Sequence, residues 1–183
     1  MKNIYKLSTV LFVSFSIIVS SCKKEEDELI IEGCTESSAM NYLSNATSND
    51  GSCIFAYDIA QGSWNITPDC EEYTIPVIGT TISLNDELPE TIDVEGAGDN
   101  SLYIEIGETQ INGTIDNSGN ITVPNQTISL DMGFGPMDID IEGDGLINTS
   151  TTGTMNLTYS FEIEAIPGFP IAESLDCSLT LDK

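Results

Sequence analysis

Apolar and polar residues alternate along most of the chain after Gly62, and this period of two is typical of a β-strand with one buried face. Every second residue is apolar from Met155 to Ile163 and again from Leu175 to Leu181. Shorter runs of the same kind lie at 102–106, 111–115, 121–123 and 137–141. Because no window keeps a helical period, this part of the chain is predicted to be all β.

Clusters of glycine, asparagine and aspartate separate these runs and predict turns at 96–100, 116–120 and 143–145. The second cluster is flanked by Ile111–Ile115 and Ile121–Val123, which together predict a hairpin. The runs amount to about nine or ten short strands, a number typical of closed or two-layered β-structures. We therefore expect residues 60–183 to form a single antiparallel β-barrel or a two-sheet sandwich.

The charge of the chain removes several classes of function. It has 30 acidic residues against 5 basic ones, no histidine, and a formal net charge of −25, while 40% hydrophobic residues still allow a real core. All basic residues are lysines, and none lies between Lys24 and Lys183. Phosphate binding needs basic side chains, so nucleic acid is excluded as a partner. Histidine general-base and internal Schiff-base catalysis are excluded as well, and we expect no enzyme.

Residues 1–21 predict a signal peptide, because their apolar run from Leu7 to Val19 is shorter than the roughly 20 residues of a membrane span. The sequence Val19-Ser20-Ser21-Cys22 comes next and resembles the lipobox of bacterial lipoproteins. The resemblance implies that Cys22 is lipidated and that acyl chains such as palmitate anchor the protein to a membrane.

Residues 22–32 are predicted to form an acidic tether, since Lys23 and Lys24 are followed by the acidic run Glu25–Glu28. Like charges repel, so we expect this segment to stay disordered between lipid and fold. Lysine and acidic residues directly after the lipidated cysteine also resemble the surface-export signal of Bacteroidota lipoproteins. That resemblance implies an outer-membrane lipoprotein exposed at the cell surface, with a periplasm-facing anchor as the alternative.

Lipidation of Cys22 leaves an even number of cysteines, namely Cys34, Cys53, Cys70 and Cys177. Export places them in an oxidising compartment, where two disulfides are expected. The residues alone leave three connectivities open.

A second resemblance rests on Gly33-Cys34-Thr35, Asn41-Tyr42 and Gly51-Ser52-Cys53. The segment that contains them resembles a short module of exported Bacteroidota proteins with its own disulfide. The resemblance implies a small disulfide module at 33–56 with a Cys34–Cys53 bond, which leaves Cys70 to pair with Cys177. On the chain-entropy model the two bonds contribute about 3 and about 4.7 kcal/mol of stability.

Gly62-Ser63-Trp64 matches the lipocalin G-x-W, although lipocalins pack an arginine from the last strand across that tryptophan and this chain has none. The runs Ile111–Ile115 and Ile121–Ile128, with Cys177, further resemble a small β-domain of flavobacterial lipoproteins. The resemblance implies a lipocalin-like β-fold for residues 62–183 and implies no particular activity.

An acidic run supplies the candidate metal ligands Asp138, Asp140, Glu142 and Asp144. It looks like the opening of an EF-hand loop, but no helix is predicted beside it and Thr149 stands where glutamate is required. The intervening isoleucines predict a strand, on which successive outward carboxylates lie roughly 6.6 Å apart and repel each other. Weak Ca²⁺ binding is one expectation and a solvated acidic face is the other, and no other cofactor is expected. The same spacing leaves a carboxylate-dependent glycoside hydrolase as a remote alternative.

These features together predict a lipid-anchored envelope protein that acts as a binding or structural module. If the barrel is open, its interior can accept a small hydrophobic ligand. If Trp64, Met155, Tyr159 and Phe161 fill it, it cannot. A calcium-assisted adhesion or interaction module with an envelope or extracellular partner is the second class.

Overall fold

The structure is a computed structural model that describes residues 29–76, 79–131, 135–166 and 168–183. The predicted signal peptide, Cys22 and the tether up to residue 28 lie outside the described residues. Within the described ranges, no helix is both long and apolar enough to cross a membrane.

In the described part of the chain, strands make up nearly all of the regular structure, with one short helix. In chain order the elements are β1 (Glu32–Gly33), β2 (Ser48–Asn49), α1 (Ala56–Ala60), β3 (Gly62–Cys70), β4 (Tyr73–Thr74), β5 (Thr81–Ile82), β6 (Thr91–Gly98), β7 (Ser101–Ile106), β8 (Thr109–Ile115), β9 (Asn120–Asp131), β10 (Pro136–Ile147), β11 (Thr152–Ile166) and β12 (Phe169–Asp182).

Eight of these strands close into a single antiparallel barrel in the order β3-β6-β7-β8-β9-β10-β11-β12, with β12 pairing back onto β3. The all-β prediction is confirmed, and of its two alternatives the chain adopts the barrel. Apart from β4 and β5, each strand lies beside its neighbour in sequence, which is the up-and-down arrangement. The predicted hairpin is also confirmed, because Ile115 pairs with Ile121 between β8 and β9.

The predicted turn at 96–100 is confirmed, and the predicted turn at 143–145 is wrong. The chain reverses at Asp99 and Asn100, which both have positive φ, so β6 continues through Gly96 to Gly98. No turn forms at 143–145, because β10 continues to Ile147. A Cβ atom on Gly143 would lie 2.1 Å from the Asn156 carbonyl oxygen, so glycine serves there for close approach of β10 to β11.

The barrel interior, meaning the space enclosed by the inward side chains of the eight strands, is apolar. The alternating residues of β11 illustrate it, since Met155, Leu157, Tyr159 and Phe161 are all buried. No polar or charged residue within the described ranges is classed as buried. The alternation in the sequence therefore separates an apolar inside from an acidic outside.

The two ends of the barrel are covered differently. The lower end, where β3 begins and β12 ends, is covered by α1, whose Ala56 and Ala60 are buried. The upper end receives the connection from β3 to β6, here called the plug (residues 71–76 and 79–90). Its buried side chains, Ile75, Ile82, Leu84 and Leu88, belong to the same core as the barrel strands.

Two disulfides join Cys34 to Cys53 and Cys70 to Cys177. This is the connectivity that the module resemblance implied. The first bond closes the small N-terminal module, in which β1 and β2 pair in parallel. The second joins directly paired residues of β3 and β12, so it lies at the strand pair that closes the barrel.

Candidate functional site

Lys183 packs on Trp64 at the lower end, and we call these two residues the lower layer. Trp64 is fully buried, and its indole N–H donates to the Ala60 carbonyl at 2.7 Å. The Lys183 ammonium lies 4.2 Å from the centre of the indole ring and donates to the carbonyls of Ile59 and Gln61 at 2.7 and 2.6 Å. Burial lowers the pKa of Lys183. A lysine directly after β12 thus packs on the tryptophan, in a chain that has no arginine.

Tyr159 places a polar hydroxyl group inside the apolar interior of the barrel. Its ring is 1% exposed, and its cross-strand neighbours are the buried Ile141 on β10 and Leu175 on β12. Among the described residues, its hydroxyl oxygen is the one buried side-chain nitrogen or oxygen without a hydrogen-bond partner. Burial raises the pKa of this phenol well above its usual value. An unsatisfied buried hydroxyl costs about 1–3 kcal/mol, so its presence in an otherwise apolar lining needs a reason.

Tyr159 lies far from the lower layer. Thr152 pairs with Asp182 at the lower end. At about 3.3 Å per residue, Tyr159 is roughly 23 Å further along β11. Leu157, one inward position below Tyr159, pairs with Cys177 of the barrel disulfide. Tyr159 is therefore the middle residue of β11 (Thr152–Ile166), one inward position above the level of the barrel disulfide.

The seam between β8 and β9 is the irregular part of the wall. Its backbone register consists of Thr114↔Thr122 and Ile115↔Ile121, at the lower end. Further up, Pro124 has no N–H to donate. The register of β9 against β10 also shifts between Val123 and Gln126, which marks a β-bulge.

Side chains bridge the seam above the bulge. The Gln126 side-chain oxygen accepts from the Asn112 backbone N–H at 2.9 Å, and its amide nitrogen donates to the Asn112 carbonyl at 2.9 Å. Near the upper end, the Thr109 hydroxyl donates to the Ser129 carbonyl at 3.0 Å. Side-chain hydrogen bonds thus take the place of backbone ladder bonds over the upper part of this seam.

A pocket of about 580 Å³ lies at the upper end of this seam, and we call it the rim pocket. The plug contributes Glu87 and Pro89 to its wall, β8 and β9 contribute Thr109 and Leu130, and β7 contributes Ile106. Since Ile106 is 5% exposed and also belongs to the core, the rim pocket reaches the edge of the barrel interior.

The four predicted metal ligands, Asp138, Asp140, Glu142 and Asp144, lie exposed on the outer face of β10. The Asp140 carboxylate accepts a hydrogen bond from the Thr127 hydroxyl at 2.6 Å. In the described part of the chain, no three His, Cys, Asp or Glu side chains are grouped so as to hold a metal ion. The extended strand spaces these carboxylates out instead of folding them around an ion, and weak calcium binding stays a prediction.

Sequence reasoning named the interior aromatic residues but missed three features. The sequence did not predict that Lys183 packs on Trp64 or that the plug covers the upper end. Gln126 was included only within the run Ile121–Ile128, and no role was predicted for it. Pro124 inside a strand pattern was the one available signal, since proline cannot donate to a central ladder.

No protein-family model and no curated protein matches the chain. Among solved structures it is similar to EF1p2_mFAP2b bound to DFHBI, with a TM-score of 0.44 and 13% sequence identity. The similarity covers 70% of this chain and 96% of that one.

Proposed function

We propose that this protein is an exported, lipid-anchored binding protein whose lipocalin-like barrel holds a small hydrophobic molecule. The observation that carries the proposal is the unpartnered Tyr159 hydroxyl inside an apolar interior. Phenylalanine would fill the same space without the cost of a buried hydroxyl, about 1–3 kcal/mol. A bound molecule that contacts the hydroxyl gives tyrosine a role at this position.

The architecture supports binding between the middle of the barrel, where Tyr159 lies, and its upper end. The lower end is occupied by Trp64, Lys183 and α1, whereas the wall above the β9 bulge is held by the Gln126 side chain. The rim pocket lies beside that part of the wall. Apolar interiors with few polar groups are typical of small-molecule sites, and an eight-stranded barrel is wide enough either to be filled by side chains or to hold one such ligand.

The proposed location rests on the sequence around Cys22. The lipobox resemblance, the acidic tether and the resemblance to a surface-export signal support an outer-membrane anchor with the barrel at the cell surface. Two disulfides favour an oxidising compartment. Protease treatment of intact cells tests this orientation, since a periplasm-facing barrel stays protected until the cells are lysed.

Binding is tested with the full chain carrying Cys22→Ala, exported so that the disulfides form without lipidation. Any lipid bound to the barrel is first extracted, and the protein is then titrated with neutral hydrophobic fluorophores. We expect saturable binding of one molecule per chain. The emission of Trp64, the only tryptophan of the sequence, gives an independent signal.

A matched pair of variants on β12 locates the bound molecule. Leu175→Phe adds volume beside Tyr159, whereas Ser174→Phe adds the same ring on the exposed outer face. We expect the first variant to weaken binding at least tenfold and the second to leave it unchanged. Absence of saturable binding to the parent protein, with a folded barrel, would instead assign it a structural role in the envelope.

A further inference from the structure

The charge distribution limits what kind of molecule the interior can hold. The sequence has no arginine or histidine and no lysine between Lys24 and Lys183. Lys183 is occupied by two carbonyls and the Trp64 ring at the lower end. It follows Asp182, which pairs with Thr152 about 23 Å along β11 from Tyr159. The described acidic side chains are all outside the buried core. An anionic group beside Tyr159 would therefore have no cation to pair with.

The penalty for such an unpaired charge is large. Moving an ion from water into an apolar interior costs several kcal/mol even after the protein relaxes. The net charge of −25 adds a repulsive field for any approaching anion. An uncharged oxygen on the ligand avoids both costs and can still form a hydrogen bond with the Tyr159 hydroxyl.

Tyr159 also limits the number of polar groups. The phenol offers one donor and one acceptor. Its cross-strand neighbours, Ile141 and Leu175, offer no polar side chain. A second polar group on the ligand at this level would be left without a hydrogen-bond partner, which weakens binding.

We infer that the bound molecule is an electrically neutral lipid with a single polar oxygen, such as an ester, ketone or alcohol, and that Tyr159 hydrogen-bonds that oxygen. This inference rests on the proposed function, because it specifies the ligand class for the same interior. It separates the protein from binders of fatty-acid anions, which need a cation in the site.

Three probes of equal chain length test the inference by displacement of the neutral fluorophore at neutral pH. They are decane, methyl decanoate and decanoate. We expect the ester to bind about tenfold tighter than the alkane, because a hydrogen bond in the interior contributes up to about 1.5 kcal/mol. Decanoate should bind more weakly than the ester and gain affinity only under acidic conditions that protonate it.

Tyr159→Phe should remove the advantage of the ester over the alkane and leave alkane binding intact. Tyr103→Phe is the control, since Tyr103 is 38% exposed on the outer face of β7. Equal affinity of ester and alkane, no effect of Tyr159→Phe, or preferred binding of decanoate at neutral pH would each overturn the inference while the proposed function stands. Failure of every probe and of the fluorophore to bind overturns the proposed function itself.

Discussion

Tyr159→Phe should make the ligand-free protein more stable, although it alters a residue at the centre of the core. The hydroxyl is buried and has no hydrogen-bond partner within the described structure, so the folded state bears its desolvation cost. That cost is about 1–3 kcal/mol, and the phenyl ring that remains keeps the packing of the interior. Allowing for the small void left by the oxygen, we expect a gain of about 1–2 kcal/mol.

Tyr57→Phe is the matched control, because it removes the same atom from a satisfied position. The Tyr57 hydroxyl accepts a hydrogen bond from the Gly98 N–H at 2.8 Å and so ties α1 to the end of β6. Losing this bond should destabilise the protein by about 0.5–1.5 kcal/mol. One chemical change is therefore expected to have opposite signs at the two tyrosines.

Urea unfolding of the delipidated, oxidised protein measures both effects. For a chain of this size, 1 kcal/mol corresponds to a Tm change of about 2–4 °C, so calorimetry provides a second measurement. Equal or lower stability of Tyr159→Phe than of the parent would mean that the hydroxyl is satisfied in the free protein. The reasoning from an orphaned hydroxyl to a ligand would then be refuted.

Alkaline pH adds an independent check on Tyr159. Burial raises the pKa of its phenol, so the folded state keeps the proton when the unfolded chain loses it above about pH 10. The unfolded state then binds fewer protons, and stability falls as the pH rises through this range. Tyr159→Phe should show a smaller fall.

Three further predictions concern other parts of the fold. Replacing Cys70 and Cys177 by alanine should cost about 4.7 kcal/mol by chain entropy, against about 3 for the module disulfide, as measured by urea unfolding. Lys183→Met should shift the emission of the single tryptophan and lower stability by about 1 kcal/mol; an unchanged spectrum would contradict the stacking. Hydrogen bonds, first from the Asn120 side chain, lower the pKa of Asp116, so its contribution to stability is present at neutral pH and lost below about pH 4. Asp116→Asn should flatten this acid dependence of Tm.

The hairpin of β8 and β9 shows how much of the fold can be predicted from a local sequence pattern. Alternating apolar residues on both sides of Asp116–Asn120 were enough to predict the two strands and the turn, and the structure adds that Ile115 pairs with Ile121. The same kind of cue failed at Gly143 and Gly145. There the glycines permit two strands to approach closely, which depends on Asn156 and Thr154 of the neighbouring strand.

The candidate calcium site shows that the spacing of acidic residues in a sequence does not by itself bring their carboxylates together. Asp138 to Asp144 have a spacing that resembles a metal-binding loop when read as letters, yet they lie along the outer face of an extended strand. Whether carboxylates converge depends on backbone conformation. The isoleucines between them, which pack inward, had already indicated the strand.

Alternation of apolar and polar residues determined by itself that this chain forms antiparallel strands with an apolar inside and an acidic outside, because side-chain direction in a strand has a period of two. The charge and the missing arginine and histidine were likewise properties of the sequence alone. Closure of the barrel decided the rest. It brings Lys183 onto Trp64 and encloses Tyr159 among apolar side chains. Such contacts join residues far apart in sequence, so no local pattern could show which buried hydroxyl would lack a partner.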